Sequence, residues 1–127
     1  MGLDMYANKV KFQPDSEIDF SIPEDSESTN EQIFYWRKHA NLHGWMEQLY
    51  GDKGGIEEFN CVKLQLTLED LNSLERDLNS LQLPQTSGFF FGRSQGSLEE
   101  INNDLSFVKE AKTAISEGYI VYYNSWW

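Results

Sequence analysis

The chain is poor in cysteine, in proline and in positive charge. Its single cysteine, Cys61, excludes an internal disulfide and fits a reducing compartment. No apolar run approaches the ~20 residues that a membrane helix requires. The N-terminus lacks the basic-then-apolar layout of a secretory signal, so a cytoplasmic location without a membrane partner is expected. Only 10 Lys and Arg stand against 21 Asp and Glu, a formal net charge of −11. That balance opposes direct binding of nucleic acid, whose affinity comes largely from cations set against phosphates. The motifs GxxxxGK[ST], GxGxxG and GxSxG are all missing, so nothing supports a P-loop, a dinucleotide fold or a nucleophile elbow, and no cofactor is expected. Glu57–Glu58 and Glu99–Glu100 are neighbours in sequence rather than facing carboxylates, which gives no glycosidase dyad.

What is present is enough for a core. At 127 residues, 39% hydrophobic and 14% aromatic, the chain reads as one domain over 1–127 rather than a disordered acidic tail. Leu3 to Phe12 reads as a strand. Ile33 to Trp36 suits the start of a strand, and from about Trp36 a helical pattern takes over: Leu42, Trp45, Met46 and Leu49 fall at i, i+3, i+4 and i+7, one face of a first helix that Gly51 and Gly54–Gly55 end. Phe59 to Leu66 alternates as a strand, with Cys61 inside it as a buried, inert thiol. A second helix starts at Thr67, capped with Asp70 at its third position, and carries Leu68, Leu71, Leu74, Leu78 and Leu81. A third is capped by Ser97 with Glu100, and its stripe is Ile101, Leu105, Val108 and Ile115; Gly118 stops it. Tyr119 to Tyr123 is a final strand. The expectation is an α+β domain of three main helices packed on a small sheet of four to five short strands.

Residues 13–31 differ from the rest. They hold seven acids and no base, with Pro14 and Pro23, and read as a solvated acidic loop or insertion. Ile18, Phe20 and Ile22 alternate within it, which also suits a short edge strand.

The densest polar constellation is Trp36-Arg37-Lys38-His39-Ala40-Asn41-Leu42-His43. His39 and His43 share a helical face, as half of a metal site would, but Ala40 stands where a zinc-protease motif needs glutamate, so no metal site is assigned. Both read as surface or boundary histidines, with His43 also a candidate acid or base. Arg37 and Lys38 are the only bases between Phe12 and Gly51. They either pair with Glu31 and the acidic loop or hold a phosphate or carboxylate. Three consecutive aromatics cannot all enter one layer from a strand. Some of Phe90, Tyr122 and the terminal tryptophans are therefore expected to line a groove or partner surface.

Four blocks in order carry a resemblance: Met1-Gly2-Leu3-Asp4-Met5-Tyr6; Tyr35-Trp36-Arg37-Lys38 with Asn41, His43 and Trp45; Gly88-Phe89-Phe90-Phe91-Gly92; and Tyr122-Tyr123-Asn124-Ser125-Trp126-Trp127. Together the chain resembles a family of small proteins found in bacteriophages and in prophage-like genes of bacteria. The resemblance brings no catalytic set with it, and it implies a host cytoplasm as the setting. The expected function is a non-catalytic phage accessory protein. Asp4, Tyr6, Trp36, Arg37, Lys38, Asn41, His43 and Phe90 would form its site for a host protein or a small anionic molecule, in host takeover or counter-defence. One alternative is a small hydrolase or transferase with His43 as acid or base, Asp4 orienting it and Arg37 stabilising an anion. Another is an acidic mimic of nucleic acid that uses the 13–31 segment.

Overall fold

The computed structural model describes residues 2–86, 94 and 96–127. The chain forms β1 (Asp4–Val10), a 3₁₀ turn (Glu24–Thr29), β2 (Glu31–Arg37), α1 (Ala40–Asp52), β3 (Leu64–Leu66), α2 (Leu68–Asn79), α3 (Leu98–Ser116) and β4 (Ile120–Trp126). The strands pair antiparallel in the order β2-β1-β4-β3, so the two ends of the chain lie side by side at the sheet centre. This is the expected α+β domain, with three long helices and four strands among the described residues.

Alternation along the strands divides the sheet into two faces. Met5, Ala7, Trp36, Leu64, Leu66, Val121 and Tyr123 point inward and join the apolar faces of the helices. The α1 face is the expected one: Leu42, Trp45 and Met46 are buried and Leu49 packs at the edge. In α2 the capping box forms as read, Thr67 accepting from the Asp70 amide and Asp70 from the Thr67 amide, while Leu71, Leu74 and Leu78 are buried. Leu68 and Leu81 at the two ends of that stripe are exposed. The stripe of α3 is rotated from the expected one: Asp104, Phe107, Val108, Ala111 and Ala114 face inward, and Ile101, Leu105 and Ile115 flank them. Gly118, at φ 93°, turns the chain from α3 into β4, as its freedom at positive φ allows.

Three expectations change. Strand β2 runs through Trp36 to Arg37, and the helix begins only at Ala40, after Lys38 at φ 57°. The strand expected from Phe59 shrinks to Leu64–Leu66. Before it the chain loops around the end of β4, where the Asn60 side chain accepts from the Trp127 amide and donates to the Trp127 carbonyl, at 3.0 Å each. Cys61 sits in that loop at φ 61° and is exposed, so it is not a buried strand thiol.

The third change is an addition. Residues 13–31 keep all seven acids exposed, as a solvated acidic loop does, and they also lie over part of the sheet. Phe20 packs edge-on against Tyr122 with ring centres 5.7 Å apart, Phe12 packs on Phe20, and the Tyr122 hydroxyl donates to Asn30 at 2.9 Å. Ile18 bridges to Leu64, with the Asp19 amide bonded to the Lys63 carbonyl and the Gln65 amide to the Glu17 carbonyl. The segment thus closes the outer edge of β3 and covers one end of the outer face. Tyr122 is buried by it and lines no groove, which corrects that expectation.

Candidate functional site

The expected site residues fall into three separate places. Phe90 lies outside the described residues. On the outer face, at the end of the sheet that the acidic segment leaves bare, strand register puts Arg37, Asp4 and Trp126 in one row and Tyr35, Tyr6 and Asn124 in the next. The Tyr35 hydroxyl donates to Asp4 Oδ1 at 2.6 Å, and the Arg37 guanidinium donates to the same oxygen at 2.8 Å. The tyrosine bond, joined by the nearby arginine, holds the Asp4 carboxyl below its ordinary value. The same carboxylate raises the Tyr35 phenol and the Arg37 guanidinium. Tyr6 and Tyr35 rings touch at 5.4 Å. Trp126 is 66% exposed and Tyr35 45%. Lys38 closes on the same corner: a Cβ on Gly2 would stand 3.0 Å from Lys38 Cε and 3.1 Å from Arg37 Nη2, and Gly2 has φ 148°. Arg37 therefore pairs with Asp4, and Glu31 pairs with Lys9 instead, at 3.4 Å.

His43 is elsewhere. It is fully buried on the inner face, its Nδ1 2.7 Å from the Tyr123 hydroxyl and its ring against Phe59. Burial lowers its pKa to about 4, so it is neutral near pH 7, and it raises the Tyr123 phenol well above its usual value. With Asp4 on the outer face and His43 on the inner, the sheet separates the proposed base from its proposed orienter. The acid–base arrangement of His43, Asp4 and Arg37 is not assembled.

Trp36, His39 and Asn41 belong to a third place, a polar knot where α1, α3 and β2 meet. His39 Nε2 lies 2.7 Å from Asp104 Oδ2, and Trp36 Nε1 donates to Asp104 Oδ1 at 3.0 Å. Ser94 Oγ lies 2.6 Å from His39 Nδ1 and accepts from the Asn41 amide at 2.8 Å, while Asn41 Oδ1 accepts from the Thr86 amide at 2.9 Å. Serine, histidine and aspartate in line are the parts of a nucleophilic relay. Here the serine oxygen serves as the cap of α1, whose own N-cap residue His39 makes no side-chain cap bond. Glu100 Oε2 lies 3.8 Å from His39 Nδ1. The knot fastens elements together. Asp104 was legible as an acid on the face of Phe107, Val108 and Ala111, three, four and seven residues away. Among the described residues no cluster of His, Cys, Asp or Glu is arranged to hold a metal ion.

One cleft adjoins the bare corner. It has a volume of about 540 Å³ and is lined by Tyr35, Trp36 and Arg37 of β2, by His39, and by Glu99, Glu100, Asn102 and Asn103 of α3. Three consecutive strand residues point to alternating faces, so they line a single cleft only along the edge of the strand. The cleft is a trough between the edge of β2, which no other described strand pairs, and the first turns of α3. No helix among the described residues is long and apolar enough to cross a membrane. No protein-family model, no curated protein and no solved structure matches the chain.

Proposed function

We propose that the chain is a binding protein with no chemistry of its own, and that its contact surface is the bare corner of the outer sheet face. One observation carries this reading: Tyr35, Arg37 and Trp126 stand exposed together on one face, next to a cleft. These are the residue types that dominate binding energy at protein interfaces. An exposed sheet face is flat, and a flat surface suits a macromolecule better than a small ligand, which is held in a concave site. Arg37 also has its charge balanced by Asp4, which weakens its pull on a free anion. The partner is therefore a protein. In the phage setting that the sequence blocks resemble, it is a host protein bound in the cytoplasm, in takeover or counter-defence.

The test begins with a partner recovered from a host extract and then made in pure form. Trp126→Ala should raise its Kd at least tenfold while leaving the melting temperature of the chain unchanged, and Tyr35→Ala should raise the Kd as much. A partner that binds both variants as well as the wild type would refute the surface.

The small anionic ligand retains one supporting observation, the approach of Lys38 and Arg37 around Gly2. Pyrophosphate that shifts the amide resonances of residues 2, 37 and 38 at millimolar concentration would favour it. Shifts spread evenly over the chain, or none, would remove it.

A further inference from the structure

The two edges of the sheet are not equivalent. The β3 edge is closed by the backbone bonds of residues 17–19. The outer edge of β2 makes no backbone bond of this kind among the described residues. A strand edge left open presents a row of unpaired N–H and C=O groups, which is a template for another strand. Proteins often cover or blunt such an edge. Here it instead forms one wall of the cleft, and α3 forms the other. A trough between a strand edge and a helix is the arrangement that accepts an extended segment as an added strand, with the main chain supplying affinity and the walls supplying selectivity.

The walls state what the segment carries. Glu99, Asn102 and Asn103 stand at i, i+3 and i+4, on one side of α3, while Glu100 beside them already accepts from the Gly96 amide at 3.0 Å. Among the described residues the lining carries one Lys or Arg, Arg37, and it is already bonded to Asp4. The local balance is negative, and the net charge of −11 extends the same field outward. A second copy of this chain would bring a second charge of −11 and another acidic wall, so it is the wrong occupant.

We infer that the trough between β2 and α3 takes an extended basic segment of the partner protein, paired to the β2 edge as a fifth strand with its lysines or arginines turned to Glu99. This rests on the binding reading above and specifies the part of the partner that enters. Strand β2 has seven residues, about 23 Å at strand rise, so a segment of five to seven residues (roughly this length) fills it.

The test uses the full chain and a synthetic seven-residue peptide alternating valine with lysine or arginine. Its comparators carry glutamate in place of the bases, or N-methyl groups on the odd or on the even residues. The basic peptide should bind, the acidic one should not, and those amide protons of residues 32–36 that do not already bond β1 should gain protection from exchange. Methylation of one alternate set should weaken binding at least tenfold and the other set should be tolerated, because only one set of amides faces the strand. Glu99→Gln and Glu99→Lys should weaken binding in that order and flatten its salt dependence. Equal binding of both methylated peptides would mean loose charge attraction and would overturn the proposal, as would equal binding of the acidic peptide or no binding at all. Failure here is separable from failure of the broader reading. A purified partner sensitive to Trp126→Ala but indifferent to Glu99→Lys keeps the binding surface and removes the added strand. Indifference to both variants removes both.

Discussion

The two ends of the outer sheet face are built from the same kinds of residue and treated oppositely. At one end Tyr122 and Asn8 lie side by side across the sheet, and the acidic segment is laid over Tyr122 through Phe20 and Asn30. At the other end Tyr6, Tyr35 and Trp126 are left open, with Asp4 and Arg37 between them. An aromatic ring that folding needs is covered by folding. A ring left bare beside a cleft is surplus to the core and available to a partner. The same division holds at the sheet edges, where residues 17–19 close β3 while the edge of β2 borders a cleft.

The strongest way to break this comparison is to remove a ring from the covered end. Tyr122→Ala should lower stability by about 3 to 5 kcal/mol, the usual cost of emptying a buried aromatic site, measured by urea unfolding. A loss below about 1 kcal/mol would mean that the segment does not cover Tyr122 in solution, since exposed sites change stability by no more than about 0.5 kcal/mol.

His43 sharpens the inner side of the same sheet. Its pKa is lowered by burial to about 4 in the fold, from 6.5 as an ordinary histidine. The folded state therefore resists its protonation. The stability that this contributes is fully present above pH 6.5 and is lost as the pH falls from there through 4. By pH 4.5 the loss is about 2 to 3 kcal/mol. His43→Gln should remove that part of the acid slope while other carboxylates titrate as before. An unchanged slope between pH 7 and 4.5 would show that His43 is open to water, and would restore it as a candidate base.

Much of this architecture was legible because it is local. A cap and the residue three positions on, such as Thr67 and Asp70, are in contact as soon as the helix exists, and the stripe of Leu42, Trp45 and Met46 follows from helix period alone. The errors came where a distant segment decides the outcome. Nothing near Tyr122 announces that Phe20, a hundred residues earlier in approximate terms, will cover it. Phe59, Cys61 and Val62 alternate like a strand, yet the Asn60 side chain takes over the bonds to Trp127, and the loop keeps a single backbone bond to β4, from the Cys61 amide to the Ser125 carbonyl. The site divided for the same reason. Arg37 and His43 share a polar sequence stretch, but the turn at Lys38 and His39 carries the chain from the sheet to a helix on its inner face. Asp4 and Arg37, distant in sequence, came together because β1 and β2 pair in register.

A smaller effect bears on the fastening of the cover. Lys53 Nζ donates to Asp70 at 2.6 Å, to the Gln65 carbonyl at 2.7 Å and reaches Glu17 at 2.7 Å. It ties the acidic segment to the start of α2 and the edge of β3. Lys53→Met keeps the apolar stem and removes the charge, and it should cost about 1.5 to 2 kcal/mol, the lower part of the range for hydrogen bonds to charged groups. Amide exchange should rise at Asp19 and Gln65 before it rises in the core strands. If exchange rises everywhere together, the cover is part of the global folding unit and not a separately fastened layer.

The smallest effect on the fold should come from Trp126, and for that reason it separates the two ends of the face most cleanly. Its ring is 66% exposed and lies opposite Asp4 in the outer row. Removing it leaves no cavity, so Trp126→Ala should change stability by no more than about 0.5 kcal/mol. If the open corner is a contact surface, the same substitution should cost at least tenfold in affinity for a purified partner, because a large ring is desolvated only when the partner arrives. A stability loss of about 3 kcal/mol would instead place Trp126 with Tyr122, as a ring the fold requires. No loss in either measurement would leave the open end without a contact role, and the exposure of Tyr35 beside it would then say nothing about a partner. Only the combination of an unaltered fold and a weakened complex distinguishes a surface made for contact from a surface merely left uncovered.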